Sequence, residues 1–161
     1  MINPTVRRFA AVLILALAAP WAGAQVVLYG APIDLAAAKK IAAAAIEEAR
    51  KNNFTMAVAV TDPAGDLVYF ERMDGTQTGS VRVAEGKARS ATMFKRPTKV
   101  FQDIVAAGGD GLRILGLEGA VPVEGGLPIV VGGKIVGAIG ASGGSSAQDG
   151  QVAKAGLAAL N

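Results

Sequence analysis

Apolar and polar positions along this chain follow two periods, and the switches between them mark out its elements. Leu35, Ala38, Ile41, Ala42, Ala45, Ile46 and Ala49 recur at helical spacing, with Lys39, Lys40, Glu47, Glu48 and Arg50 on the polar side. Asp34 stands where an N-cap belongs, and Asn52-Asn53 ends the pattern, so a helix is expected from Leu35 to about Lys51. Because its inner stripe is mostly alanine, this helix should lie close to whatever it covers. The pattern then changes. Phe54–Thr61 reads as a buried strand and Leu67–Arg72 as its antiparallel partner, joined through Asp62-Pro63-Ala64-Gly65-Asp66, where Pro63 presets φ and Gly65 accepts a left-handed backbone.

Helical spacing returns from Thr78 or Ser80 to about Phe94, with Val81, Ala84, Ala88 and Ala91 inward. Glu85 precedes Arg89 by four residues, an exposed pair worth ~0.3–0.5 kcal/mol. Pro97, at a first-turn position, opens a short helix over the TKVFQDIVAA segment, which Gly108-Gly109-Asp110-Gly111 ends. Leu112–Leu117 is expected as a helical turn, and Val121-Pro122-Val123 as a short edge strand because of its proline. In the glycine-rich stretch from Gly125 to Ala155, the strand-sized runs LPIVV and KIVGAIGA flank Gly132-Gly133, a two-residue hairpin loop. A helix from about Ala147 to Leu160 closes the chain. Hairpins rather than crossovers join the strands, which predicts an α+β fold with an antiparallel sheet covered by helices, in one domain from Gln25 to Asn161.

The first 24 residues are expected to be absent from that domain. Arg7 and Arg8 precede an apolar run from Phe9 to Ala19, too short to span a bilayer, and Ala22-Gly23-Ala24 offers small residues for cleavage before Gln25. The reading is a cleaved secretory signal and an exported protein, periplasmic or secreted, with no membrane association after cleavage. Charge supports no nucleic-acid partner. Of 16 Lys+Arg, Arg7 and Arg8 leave with the signal, so 14 face 13 Asp+Glu, a net of +1.

The chain has no cysteine and no histidine. Disulfides, thiolate chemistry, serine–histidine triads, zinc hydrolysis and histidine-ligated haem are thereby excluded. The glycine motifs lack the context of a Rossmann loop and no GxxxxGK[ST] occurs, so neither nucleotide nor flavin is expected. Met56, Met73, Met93, Tyr29 and Tyr69 have no metal-site spacing.

Four groups remain as candidate chemistry. Lys87, Arg89, Lys95, Arg96 and Lys99 form a basic cluster, either a carboxylate clamp or a solvated face. The loop Ser142–Asp149 is either an anion nest or a helix cap. Glu124, between two strands and before Gly125-Gly126, is a candidate buried acid or base, with Glu85 a helix-surface carboxylate. The methionines and tyrosines above read more simply as core.

The ordered set VAVTDPAGDLVYFERMDG, SVRVAEGKARSATMFKRPT and GGLPIVVGGKIVGAIGASGGSSAQDGQVAKA resembles the GlcG/HbpS family, the haem-degrading or PduO C-terminal-like domain. The resemblance covers nearly the whole chain after the signal. It implies a profilin-like fold with about five strands flanked by helices, assembly into homo-oligomers, and a small-molecule ligand, with haem the named candidate. It also implies a contact to haem iron from the threonine of the RPT segment, Thr98, a weak ligand. Lys95, Arg96, Lys99 and Lys87 would then pair with propionates, and Gly125 and Gly126 would form the facing wall. The expected pocket lies between Lys87–Thr98 and Glu124–Gly126, with Ser142–Asp149 nearby. One alternative is a cofactor-free isomerase or tautomerase acting on a small carbonyl or hydroxy acid, with Glu124 or Glu85 as base and Arg89 stabilising an enolate. A second is a structural, partner-binding oligomer.

Overall fold

The computed structural model describes residues 27–160. The expected signal segment lies outside the described residues. The elements run β1 (Leu28–Tyr29), α1 (Leu35–Lys51), β2 (Ala57–Thr61), β3 (Leu67–Arg72), α2 (Gly79–Met93), α3 (Thr98–Ala106), a 3-10 helix (Gly109–Gly116), β4 (Gly126–Val131), β5 (Lys134–Ser142) and α4 (Ser146–Ala158). This is the α+β arrangement expected, with five strands and helices on both faces.

Strand β5 is the axis of the sheet. Along one edge it pairs antiparallel with β4, through the Gly132-Gly133 loop. Both loop residues have positive φ, +56° and +74°, as a tight primed hairpin turn requires. Along the other edge, its C-terminal half pairs antiparallel with β2, which continues to β3, and its first two residues pair parallel with β1.

Side chains alternate across β2, so Val58 and Val60 face one layer and Ala57 and Ala59 the other. The first layer is α1 with α4, contributing Ile41, Ile46 and Val152 among others. The second is α2, contributing Ala84 and Ala88. Small residues decide how close α2 comes. A Cβ on Gly140 would collide with the Ala84 carbonyl oxygen and stand 2.6 Å from the Ala88 nitrogen.

Local signals hold at the helix ends. Asp34 Oδ1 accepts from the Ala37 N–H at 2.7 Å. After α1, Asn53 takes φ +56°, while its N–H and that of Phe54 return to the carbonyls of Arg50 and Ala49, a Schellman closure. Ser145 and Gln148 cap α4 reciprocally, so the capping reading of the Ser142–Asp149 loop is the one observed.

Three expectations change. Val121-Pro122-Val123 is not a strand. Its backbone bonds go to side chains instead, with the Val121 N–H donating to Ser90 Oγ and the Val123 carbonyl accepting from Thr98 Oγ1. The fifth strand is instead the two-residue β1, ahead of the first expected helix. Glu85 pairs with Arg82 at 3.0 Å rather than with Arg89, whose Nε donates to the Gly65 carbonyl at 3.2 Å.

Candidate ligand-binding site

The junction of α2 and α3 is built on a conformation that lysine seldom adopts. Lys95 follows the end of α2 with φ +54°; its N–H and that of Arg96 return to the carbonyls of Thr92 and Ala91. This is the glycine position of a Schellman motif, occupied here by a residue with a Cβ. The lysine stem reaches toward β1. Its Nζ donates to the Val27 carbonyl at 2.9 Å and stands 4.3 Å from the Tyr29 ring centroid, a cation–π distance. The Tyr29 hydroxyl in turn donates to the Thr92 carbonyl at 3.0 Å.

Pro97 stands at the N-cap of α3, one position earlier than its expected place in the first turn, and Thr98 begins the helix. Thr98 is fully buried. Its hydroxyl donates to the Val123 carbonyl at 2.7 Å and accepts from the Gly126 N–H at 2.9 Å. One side chain thus fastens the whole 123–126 loop.

Behind that loop lies a buried ion pair. Lys87 Nζ donates to Asp149 Oδ2 at 2.6 Å and to the Ala141 carbonyl at 3.1 Å, while Asp149 Oδ1 accepts from the Gly144 N–H at 3.0 Å. Burial pushes the Lys87 ammonium below its usual range; its hydrogen bond to Asp149 and the charges of Asp149 and Glu124 oppose that shift. Gly125 threads past the pair at φ +126°, where a Cβ would lie 2.9 Å from Lys87 Nζ and 2.8 Å from the Asp149 Cβ. Glu124 is also buried. Its N–H donates to Gln102 Oε1, and its carboxylate packs on Gly150 and accepts from Lys154 Nζ at 3.4 Å.

The structure therefore brings Lys87, Thr98, Glu124, Gly125, Gly126 and Asp149 together, but the space between them is filled. Every buried side-chain nitrogen and oxygen among the described residues has a partner. The open space lies beside this knot. A groove of about 350 Å³ is lined by apolar side chains of β4, β5 and α4, with Val27, Pro97 and Lys95 completing it. Lys95 is its single charged residue.

The other basic candidates are dispersed. Arg96 is exposed, with its guanidinium 5.5 Å from the Phe101 ring, and Lys99 pairs with Asp103 at 2.7 Å on the surface of α3. The Asp103 hydrogen bond holds the Lys99 ammonium above its usual range. Arg89 and Glu85 together line two hollows beside α2 that share no residue with the groove. Leu127, Pro128, Val130 and Leu157 are groove residues that sequence reasoning missed. The available signal was LPIVV itself, apolar at every position on a strand that carries a proline and forms a sheet edge.

A family model described as "Haem degrading protein HbpS-like" matches residues 33–158. The chain belongs to the HbpS-like family. Among relatives, it is 42% identical over 105 residues to Protein GlcG of Escherichia coli strain K12, covering 65% of this chain and 77% of that protein. The crystal structure of HbpS superposes with a TM-score of 0.75 at 32% identity, covering 84% of this chain and 94% of that one. The crystal structure of a PduOC:haem complex superposes with a TM-score of 0.73 at 27% identity, covering 81% of this chain and 96% of that one. The HbpS-like match takes in every helix, β2 to β5 and the Thr98 clamp; β1 precedes it.

Proposed function

We propose that this protein binds haem in the groove beside Lys95, with one face or edge of the porphyrin against Leu127, Pro128, Val130 and Leu157. The observation that carries the reading is the groove's chemistry: apolar throughout, with one cation at its rim. A structural relative solved in complex with haem supports it. About 350 Å³ is at the small end of the ~300–1,000 Å³ typical of small-molecule sites, which suits a partly exposed ligand.

The residues fit the porphyrin and its propionates better than they fit the iron. Lys95 stands at the rim, and the exposed Arg96 follows it in the chain, available to carboxylates, whereas Lys99 is engaged with Asp103. The chain has no histidine or cysteine to offer the metal, and the Thr98 hydroxyl is engaged at both its donor and acceptor sides. In this reading Thr98 positions the groove by holding the 123–126 loop ahead of β4, and apolar contact supplies most of the affinity. Exposed ion pairs contribute only ~0–1 kcal/mol each, so losing Lys95 alone should weaken binding by a few-fold at most. When bound, haem supplies the iron-centred redox chemistry; the protein supplies burial and orientation.

Hemin titration followed at the Soret band tests this. Val130 is 52% exposed, so Val130→Glu should leave the fold intact while placing a carboxylate in the groove. Binding should fall at least tenfold. A Val130→Glu variant that binds as the parent does would remove the groove from consideration.

Export belongs to the same proposal and rests on Arg7-Arg8, the apolar run to Ala19 and the Ala22-Gly23-Ala24 site. Protein recovered outside the cytoplasm should begin at Gln25. Assembly into a homo-oligomer is also proposed, supported by exposed Leu112, Leu115 and Leu117 on and just after the 3-10 helix. Light scattering of the purified protein should then give a mass above that of one chain.

A further inference from the structure

At the β2–β3 end of the sheet, Arg89 of α2 lies across a turn shaped to receive it. Asp62 Oδ1 accepts from the N–H groups of Ala64 and Asp66, closing the turn, and Gly65 sits in it at φ +88°. A Cβ on Gly65 would stand 3.1 Å from Arg89 Cγ, so the arginine stem occupies the space a side chain would need. The Gly65 carbonyl tethers Nε at 3.2 Å. Neither η nitrogen is bonded within the described residues, and no carboxylate among them lies within ion-pair distance. The opposite wall is a second glycine turn, Gly119 at φ +80°, packed near Met93. Between the two turns is a cleft of about 600 Å³ lined by Ala64, Asp66, Arg89, Met93, Glu118 and Gly119.

The charges of this cleft select its ligand. Arg89 supplies one positive charge with a free planar fork; Asp66 and Glu118 supply two negative charges. A simple anion would gain the fork but meet a net negative wall. A simple cation would leave the fork unused. We propose that the cleft binds a small zwitterion of the amino-acid class, its carboxylate on the Arg89 guanidinium and its ammonium toward Asp66 and Glu118. The site shares no lining residue with the groove beside Lys95 and goes beyond the haem reading.

The test uses the full-length, ¹⁵N-labelled protein and a series of ω-amino acids from glycine to 6-aminohexanoate, each compared with the carboxylic acid and the amine of equal length. At least one amino acid should shift the Gly65 and Gly119 amide resonances saturably, and its matched acid and amine should bind at least tenfold more weakly. Loss of a charge-assisted, bidentate contact in Arg89→Gln should weaken binding by about tenfold or more. Arg89→Lys keeps the stem over Gly65 but not the fork, and should show a similar loss if Arg89→Gln folds poorly. Joint replacement Asp66→Asn and Glu118→Gln should remove the advantage of the amino acid over its acid. No saturable shift by any member, equal binding of acid and amino acid, or binding retained in both Arg89 variants would overturn the proposal. Hemin binding should be the same in Arg89→Gln as in the parent, which separates this outcome from any failure of the haem reading.

Discussion

Lys87 Nζ and Asp149 Oδ2 lie 2.6 Å apart, with both side chains withdrawn from solvent, and together they lock α2 to α4 across the end of β5. The two residues are 62 positions apart in sequence. Their contact also shapes the backbone around it. Gly125 passes where any side chain would strike the ammonium, and the Gly144 N–H closes onto the second carboxylate oxygen.

Breaking one half of this pair should be far more damaging than replacing both halves. Lys87→Met leaves a buried carboxylate facing an apolar side chain, at a cost of about 3–5 kcal/mol. The double variant Lys87→Met/Asp149→Asn removes both charges and retains an oxygen for the Gly144 N–H. Urea unfolding should show it recovering most of the loss. Equal destabilisation of the single and double variants would mean that packing, not charge, dominates the contact.

Stability should also depend on pH through Lys87. Burial lowers its folded value below the ordinary 10.5. Between the folded value and 10.5 the unfolded chain binds more protons than the folded one, so unfolding free energy rises as pH is raised through that window. Below the folded value both states hold the proton and the burial penalty on the charged form is felt in full. The difference between the parent and Lys87→Met/Asp149→Asn should therefore change in the parent's favour with rising pH in the alkaline range. A pH-independent difference would contradict the assignment.

Thr98 offers a cleaner separation of hydroxyl from shape. Thr98→Val keeps the volume but strands the buried Gly126 N–H, costing about 1–3 kcal/mol. Thr98→Ser restores the hydroxyl and should recover most of that loss. If Thr98 acts on the groove by holding the 123–126 loop, hemin affinity should follow the same order, parent and Thr98→Ser above Thr98→Val. A fall in hemin affinity in Thr98→Val with no loss of stability would point to direct contact instead.

Features whose physics is local were legible in the sequence. Asp34 as a cap, Asn52-Asn53 as a stop and Gly132-Gly133 as a hairpin each depend on a few adjacent residues, and each is seen. The family, its α+β fold and four of its strands were legible as well, because the ordered motifs span the chain. Strand β1 was not, since Leu28-Tyr29 is too short to carry a period and exists only because β5 offers an edge. Of the expected site, the structure shows some of the residues brought together and others dispersed. Lys87 stands in a run of charges that resembles a solvated face, and nothing near it announces that Asp149 will neutralise it in the interior. Sequence brought Lys87, Thr98 and Glu124–Gly126 to one place; only packing shows that they fill that place and leave the groove next door.

Lys95 sets backbone stability against the proposed ligand contact at a single position. Its left-handed backbone would suit glycine better, while its ammonium bonds the Val27 carbonyl and covers the Tyr29 ring at the groove's rim. In Lys95→Gly the relief of backbone strain, about 1 kcal/mol, is opposed by the entropy glycine adds to the unfolded chain and by loss of a cation–π contact worth ~0.5–1 kcal/mol. Unfolding free energy should consequently change by less than about 1 kcal/mol. Hemin affinity should fall by a few-fold, with a weaker salt dependence, because the rim has lost its charge. Lys95→Ala keeps the strain and loses the same contacts, so it should be the less stable of the two variants and bind hemin equally weakly. Thermal unfolding and hemin titration of this pair would show whether the lysine is retained at a glycine position for the sake of the groove. If Lys95→Gly binds hemin as tightly as the parent, the cation at the rim has no part in recognition.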